Sequence, residues 1–467
     1  MKLAKMSLIA ALALTTSVYA IDNVKVNGDV KLYYGTYDTD AKNAPDMFDK
    51  DVSYGDAALH LGLTADLTTG VSAGVSVTAV STLGLENNLV SQTWSNSHGV
   101  TGKKGANFVG NGINGHQLDD AMWVDEAWIA GTAFDTTAKV GRQQLDTPLA
   151  FTETWGIDTN TFEAAVLINQ SIPDTTLVAT YVGKSNGAAD DTSLNTTINS
   201  LGAAQAGYVA QDGKFNTFGS NGVYAAGVIN NSFKPLTVQA WYYDMQNLAK
   251  AYWLQADLNV GGFLAGVQYA NTDVDSLAAL TAYAFGTGLT GPTTTTVDDT
   301  TMYSVMLGYE MKDVVTVKAA YSSVDDDGTL GMANTATGSA ATIGGQSKMY
   351  TEMWWNYGAV SAVGADSYSL TVEATPFWDV DLLLGYYFAD VDPKNNTNVL
   401  NFSDEVEVTE VAFTASKKFG PLDASIALIW DDFSDETNYT FAQVTTPGFR
   451  NDDETVTTLQ VYLTYNF

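Results

Sequence analysis

The chain alternates. Over long stretches apolar and polar residues trade places at every position, and beyond the first twenty residues no apolar run approaches the ~20 residues that a membrane-spanning helix needs. In the C-terminal stretch Thr457, Leu459, Val461, Leu463, Tyr465 and Phe467 share one face, and Thr458, Gln460, Tyr462, Thr464 and Asn466 share the other. Tyr368, Leu370, Val372 and Ala374 alternate in the same way with Ser369, Thr371, Glu373 and Thr375. A period of two marks a strand with one apolar and one polar face. No long segment places apolar residues at helical spacing.

Following this pattern gives about eighteen strands. They fall near 23–37, 52–68, 71–83, 121–134, 136–145, 161–171, 174–183, 221–231 and 235–245. The series continues near 249–259, 261–271, 300–311, 313–323, 366–376, 379–390, 404–419, 421–432 and 454–467. Every second connection is a tight turn, as at Thr69-Gly70, Asp135-Thr136, Gly261-Gly262 and Gly420-Pro421. Most of the others are long and polar: 85–120, 184–220, 272–299, 324–365 and 433–453, with a short link near 246–248 as the exception. An open sheet this wide leaves unpaired edges, and closure removes them. In lipid every backbone group must pair internally, which a closed barrel achieves. The expected fold is all-β: a transmembrane antiparallel β-barrel with short periplasmic turns and long extracellular loops. Tyr33, Tyr34, Trp378, Tyr386, Tyr387 and Trp430, near strand ends, suit interfacial girdles.

The N-terminus fits export. Lys2 and Lys5 precede the apolar stretch Met6–Leu14, and Val18-Tyr19-Ala20 has the form of a cleavage site. The expected organisation is a signal peptide over 1–20 and one barrel domain over 21–467.

Composition closes off other classes. With 53 acids, 21 bases and a net charge of −32, the surface does not suit nucleic acid. Without cysteine there is no disulfide framework and no thiolate chemistry. The histidines His60, His98 and His116 lack any surrounding catalytic motif, so the chain reads as a non-enzyme. Asp325-Asp326-Asp327-Gly328 lacks the later acid of a calcium-binding EF-hand loop.

The ending Val461–Phe467 resembles the assembly signal of bacterial outer-membrane proteins, carried by Leu463, Tyr465 and Phe467. The stretch Gly141-Arg142-Gln143-Gln144-Leu145-Asp146-Thr147-Pro148-Leu149 resembles the major outer membrane porins of Campylobacter-type bacteria and, more distantly, OprD-type channels. Residues Val24–Tyr34 and Met349–Tyr357 are similar in character to the same porins. The resemblance implies an eighteen-stranded diffusion porin, a homotrimer assembled by the barrel-insertion machinery. The arginine ladder of OprD-type channels does not carry over, because Arg142 and Arg450 are the only arginines.

A barrel of this size encloses an aqueous channel. By parity the lumen faces carry Lys25, Asp29, Lys31, His60, Asp66, Asp257, Glu310, Lys318, Glu373 and Asp423. Strands 121–134 and 161–171 alternate poorly, which fits either a bulge or a wall packed on a neighbouring subunit. Two loops are candidates for folding into the lumen, 85–120 and 146–160. With them come the expected constriction residues Asp119, Asp120, Arg142, Asp146, Glu153 and Asp158. The expected function is passive diffusion of ions and small hydrophilic solutes with a preference for cations, since acids lining a confined pore favour them. No cofactor is required, and calcium is a candidate ligand at Asp120, Glu153 and Asp158, as the resemblance also implies. Two alternatives stand beside this reading: a surface adhesin or surface-layer protein, and a substrate-specific OprD-like channel.

Overall fold

The computed structural model describes residues 22–40, 44–91, 93–94, 99–100, 118–187, 213–218, 221–275, 298–336, 345–392, 406–435 and 454–467. The expected signal peptide, His98, His116 and Arg450 lie outside the described residues.

Eighteen long strands run antiparallel in chain order. They are β1 (Asp22–Thr39), β2 (Ser53–Thr68), β3 (Val71–Ser81), β4 (Ala121–Ala133), β5 (Thr136–Gln143) and β6 (Phe162–Asn169). Next come β7 (Thr175–Ser185), β8 (Val223–Asn230), β9 (Leu236–Met245), β10 (Ala249–Val260), β11 (Phe263–Val274) and β12 (Thr300–Met311). The last six are β13 (Val315–Val324), β14 (Ala365–Ala374), β15 (Asp381–Val391), β16 (Val406–Phe419), β17 (Leu422–Asp435) and β18 (Glu454–Asn466). Each pairs with its neighbours in sequence, and β18 pairs with β1 from Asn466↔Asp29 to Val456↔Thr39. The sheet therefore closes and has no free edge. The expected strands are all present, with ends shifted by a few residues at most. Among the described residues the only α-helix is the short α1 (Tyr357–Ser361).

Local chemistry fixes the tight turns. Phe134 and Asp135 join β4 to β5 with φ of 50° and 58°, and Gly261 and Gly262 join β10 to β11 with φ of 60° and 89°. Two successive positive φ values suit the right-handed twist of a hairpin.

Alternation decides which side of the wall each residue occupies. Ile129, Val140, Val267, Leu307 and Leu370 are outward and exposed, as lipid-facing positions are. Tyr33, Tyr243, Trp253 and Tyr387 are inward and buried by segments that fill the lumen. In β4 a register shift opposite Ser76 and Val77 places an extra residue at Asp125. Trp123 and Asp125 face inward above it, and Glu126 and Trp128 face inward below it. This bulge explains why the sequence over 121–134 does not alternate cleanly.

Candidate functional site: segments folded into the barrel lumen

Among the described residues, two long segments cross the interior. The first, residues 145–161 between β5 and β6, is largely buried, with Leu149, Phe151, Ile157 and Asp158 each below 5% exposed. It reaches opposite walls. Leu149 N–H donates to the Tyr243 hydroxyl of β9 at 3.3 Å. Lys31 Nζ of β1 donates to the Gly156 carbonyl at 2.8 Å. On β2, His60 bridges two carboxylates: Nδ1 lies 2.8 Å from Asp29 and Nε2 lies 2.9 Å from Asp158. Thr78 of β3 donates to Asp125, which also accepts from Trp123 Nε1 at 2.8 Å. Asp158 thus ties the inner segment to His60 of β2 and Thr78 of β3.

The second crossing segment is 345–364, after β13. Tyr350 donates its hydroxyl to Asp257 of β10, and Gln268 of β11 donates to the Lys348 carbonyl at 2.8 Å. The Tyr350 hydroxyl is held well above its ordinary pKa by burial and by the facing Asp257 carboxylate. On the far side Trp354, Trp355 and Asn356 point their backbone N–H groups at the carboxylate of Glu410 on β16, at 2.7–3.1 Å. The Asn356 amide also donates to Asp431 of β17 at 2.7 Å. A buried carboxylate that gathers consecutive backbone donors is a strong, directional anchor.

Asn334 ties the two segments together. Its Oδ1 accepts from Phe151 N–H at 3.2 Å, and its Nδ2 donates to Phe151 O at 2.9 Å and to Glu153 at 3.0 Å. Thr335 donates to the Leu149 carbonyl from both backbone and hydroxyl. Lys348 pairs with Asp146 at 2.9 Å and lies over the Phe151 ring. Trp94, from the connection after β3, stacks on Tyr33 and Trp355 and meets Trp155 edge-on. The inner elements form one hydrogen-bonded and aromatic body fixed to the wall at several points.

The expected lumen residues all occupy inward positions. Beyond those already placed, Lys318 pairs with Glu373 at 2.9 Å. Asp66 accepts from Asn23 at 2.6 Å, and Asp423 accepts from Asn466 at 3.0 Å. Lys25 is exposed and Glu310 half-exposed.

The expected constriction residues do not converge. Asp146 is open to the lumen, 85% exposed, beside Lys348. Glu153 and Asp158 are buried at separate places, one on Asn334 and Trp155, the other on His60. Asp120 is exposed just before β4, and only the backbone of Asp119 is described, paired with Gly99. Among the described residues no group of three or more metal-ligating side chains forms, so Asp120, Glu153 and Asp158 are not drawn together there. Arg142 differs from expectation. It faces outward on β5, on the parity of Ala138 and Val140, where its guanidinium meets Glu163 at 3.1 Å and stacks on Phe215 at 4.1 Å. It therefore does not oppose acids across the lumen. Sequence reasoning missed Lys348, Asn334 and Glu410. The polar, aromatic run Met349–Tyr357 was their nearest signal, although it lies in a loop that alternation cannot place.

A family model described as Gram-negative porin matches residues 7–351. The chain belongs to that family. This porin resembles solved channels over 95–96% of its length. The Pseudomonas aeruginosa channel OccK8 (OprE) matches with a TM-score of 0.61 at 14% identity, covering 96% of this chain and 100% of that one. Acinetobacter baumannii OccAB1 matches with a TM-score of 0.59 at 12% identity, over 95% and 97% of the two chains. P. aeruginosa OpdK, solved with vanillate, matches with a TM-score of 0.59 at 11% identity, over 95% and 99%. No curated protein matches by sequence. Family and fold together make this porin a multi-pass β-barrel of the outer membrane.

Proposed function

We propose that this porin is a water-filled channel for passive diffusion of ions and small hydrophilic solutes, with a preference for cations and no catalytic role. The carrying observation is the inner body of segments 145–161 and 345–364, which occupies part of the barrel interior and keeps the charged groups of Asp146 and Lys348 accessible. Asp146 and Lys348 are its most accessible pair, and the inward faces add Asp66, Asp257, Glu310 and Glu373 against Lys25 and Lys318. Acids in a confined aqueous path concentrate cations and repel anions. The narrower kinship with Campylobacter-type porins, carried by residues 141–149, belongs to this reading. So does calcium as a ligand of acids in the lumen.

Selectivity of the variants tests the assignment. Asp146→Asn should reduce cation preference in dilute KCl, and Lys348→Gln should increase it. Equal reversal potentials for both variants and the wild type would remove this pair from the selective region.

A second reading, an OprD-like channel for one solute class, draws on the OpdK likeness. It predicts that a bound solute blocks ion current at a saturable site, whereas the diffusion reading predicts current that scales with salt.

A further inference from the structure

We propose that the inward faces of β6–β8 form an apolar track for solutes with a hydrocarbon body, and that the charges at its borders select amphipathic organic cations, an ammonium group carrying an alkyl chain. The inference rests on the diffusion-channel reading and names one class of solute within it.

Strand β4 loses its alternation to a bulge, but β6 loses it for another reason. Its run Ala165-Val166-Leu167-Ile168 is apolar on both faces. Ala165 and Leu167 are exposed on the outer side, whereas Val166 and Ile168 face inward and are half-buried. Val178 on β7 stands opposite Ile168, and Ile229 on β8 lies diagonal to Val178, across from Thr176. All four apolar side chains keep part of their surface accessible. Among the described residues no charged side chain faces inward on β6, β7 or β8, since Glu163 and Lys184 pair on the outer side. The inward faces of β10, β13 and β14 differ, with Asp257, Lys318 and Glu373. A wall between lipid and water needs apolar residues on the lipid side only. Methyl groups on the water side gain when a solute covers them.

Two indoles border the patch and lie along the wall. Trp241 on β9 occupies the space over Gly227, where a Cβ would overlap its ring. Trp128 on β4 does the same over Gly74. Glycine at these two positions lets a large ring rest on the wall instead of filling the space in front of the patch. Each indole N–H is committed within its own strand, Trp241 to Gln239 at 2.9 Å and Trp128 to Glu126 at 3.1 Å. The rings therefore extend the carbon surface and add no donor to it.

The charges stand at the borders and identify the solute. Lys139 is the cross-strand neighbour of Val166 and lies 4.3 Å over the Trp128 ring, whose N–H is held by Glu126. One base and one acid share that edge. Asp257 of β10 stands at the other, half-buried, oriented by the Gln255 amide at 2.8 Å and by the Tyr350 hydroxyl. Strands β8 and β10 are two spacings apart, about 10 Å, so a solute with its ammonium group at Asp257 lays its alkyl chain over Ile229 toward Val178. On the inner body Asp146 is 85% exposed beside Lys348, whose carbonyl is held by Gln268 next to Gln255. Glu126, Asp146 and Asp257 thus stand against Lys139 and Lys348, and this excess of acid favours a cationic head over an anionic one.

Block of potassium current by alkylammonium ions tests the track. Ethyl-, butyl- and hexylammonium chloride are added to the full-length protein in planar bilayers in dilute KCl, and block is read as a fraction of each protein's own current. Block should tighten about twofold per methylene, half of the roughly fourfold change expected for a methylene buried on all sides. Hexanoate should block about tenfold more weakly than hexylammonium. The double variant Val178→Thr, Ile229→Thr keeps β-branched side chains on both strands and should lose most of the dependence on chain length. Asp257→Asn should weaken all three ammonium ions about equally and keep that dependence. Block that ignores chain length in the wild type, equal block by hexanoate, or an undiminished dependence in the double variant would overturn the proposal. Calorimetric titration of hexylammonium into the detergent-solubilised proteins separates the two readings. Binding that the double variant loses, in a barrel that passes no current, removes the channel alone. Ohmic KCl current with no dependence on chain length removes the track alone.

Discussion

Asn356 reaches Glu410 twice: its backbone N–H and its side-chain amide lie 2.8 Å and 3.0 Å from the same carboxylate oxygen, Oε2. Trp354 N–H donates to the other oxygen at 2.7 Å, and Trp355 N–H lies 3.1 Å from both. One wall carboxylate thus fixes the end of the segment that crosses the lumen.

Glu410→Ala should free that end. Each buried donor left unsatisfied costs about 1–3 kcal/mol, so residues 352–361 should leave the wall while the barrel stays closed. Single-channel current should become noisier with new sublevels, and amide exchange should rise in 352–361. Glu410→Gln keeps an acceptor oxygen and should show a milder form. Quiet wild-type current in Glu410→Ala would show that the anchor does not control the segment.

Asn334→Ala should uncouple the two inner segments. Its amide makes three hydrogen bonds to Phe151 and Glu153, and all three residues are buried. The loss should be on the order of 2–4 kcal/mol locally. Exchange should increase at 149–153 and 332–336 together, and an increase confined to one segment would contradict the coupling.

Glu352 sets a pH dependence. Burial holds its carboxyl well above the usual range, against the lowering effect of its bonds from Ser347 and of Lys348 nearby. The folded segment therefore keeps a proton that the unfolded chain releases near ~4.3. Its stabilising contribution is complete below that value and declines as pH rises toward the folded-state pKa. Exchange of residues 345–353 should therefore speed up with pH beyond the intrinsic rate, and Glu352→Gln should flatten the excess. An unchanged excess in Glu352→Gln would exclude this carboxyl.

Deleting Phe467 should lower the yield of inserted barrel. Phe467 N–H and C=O pair with Gly28 at 2.9 Å and 3.0 Å where the last strand meets the first. Tyr465 and Leu463 continue the same exposed outward row. The amount of heat-modifiable protein in outer membranes measures this. Wild-type levels after deletion would remove the C-terminal residue from assembly.

The wall was legible and the plug only partly so, for a physical reason. A strand that faces lipid on one side and water on the other must alternate, so Leu370 and Ser369, or Leu463 and Thr464, declare their sides. Arg142 precedes an inward segment in sequence, which by itself suggests a constriction residue. The parity of Ala138 and Val140 places it outside, and that signal was already present. The alternation of β4 fails because Asp125 is an extra residue in a bulge. Residues such as Asn334 and Glu410 take their roles from partners far away along the chain. Glu410 alternates like any inward residue, and nothing local distinguishes it from Glu373.

Reversal potential across a planar bilayer in a dilute KCl gradient tests the central claim most directly. Among the described inward-facing positions acids outnumber bases, and exposed charges act over a Debye length that shrinks from ~10 Å at 0.1 M to ~3 Å at 1 M salt. The purified protein should give ohmic current steps with a reversal potential of cation-selective sign that fades in concentrated KCl. A membrane that stays silent would contradict the channel, and an anion-selective sign would contradict the assignment of charge within it.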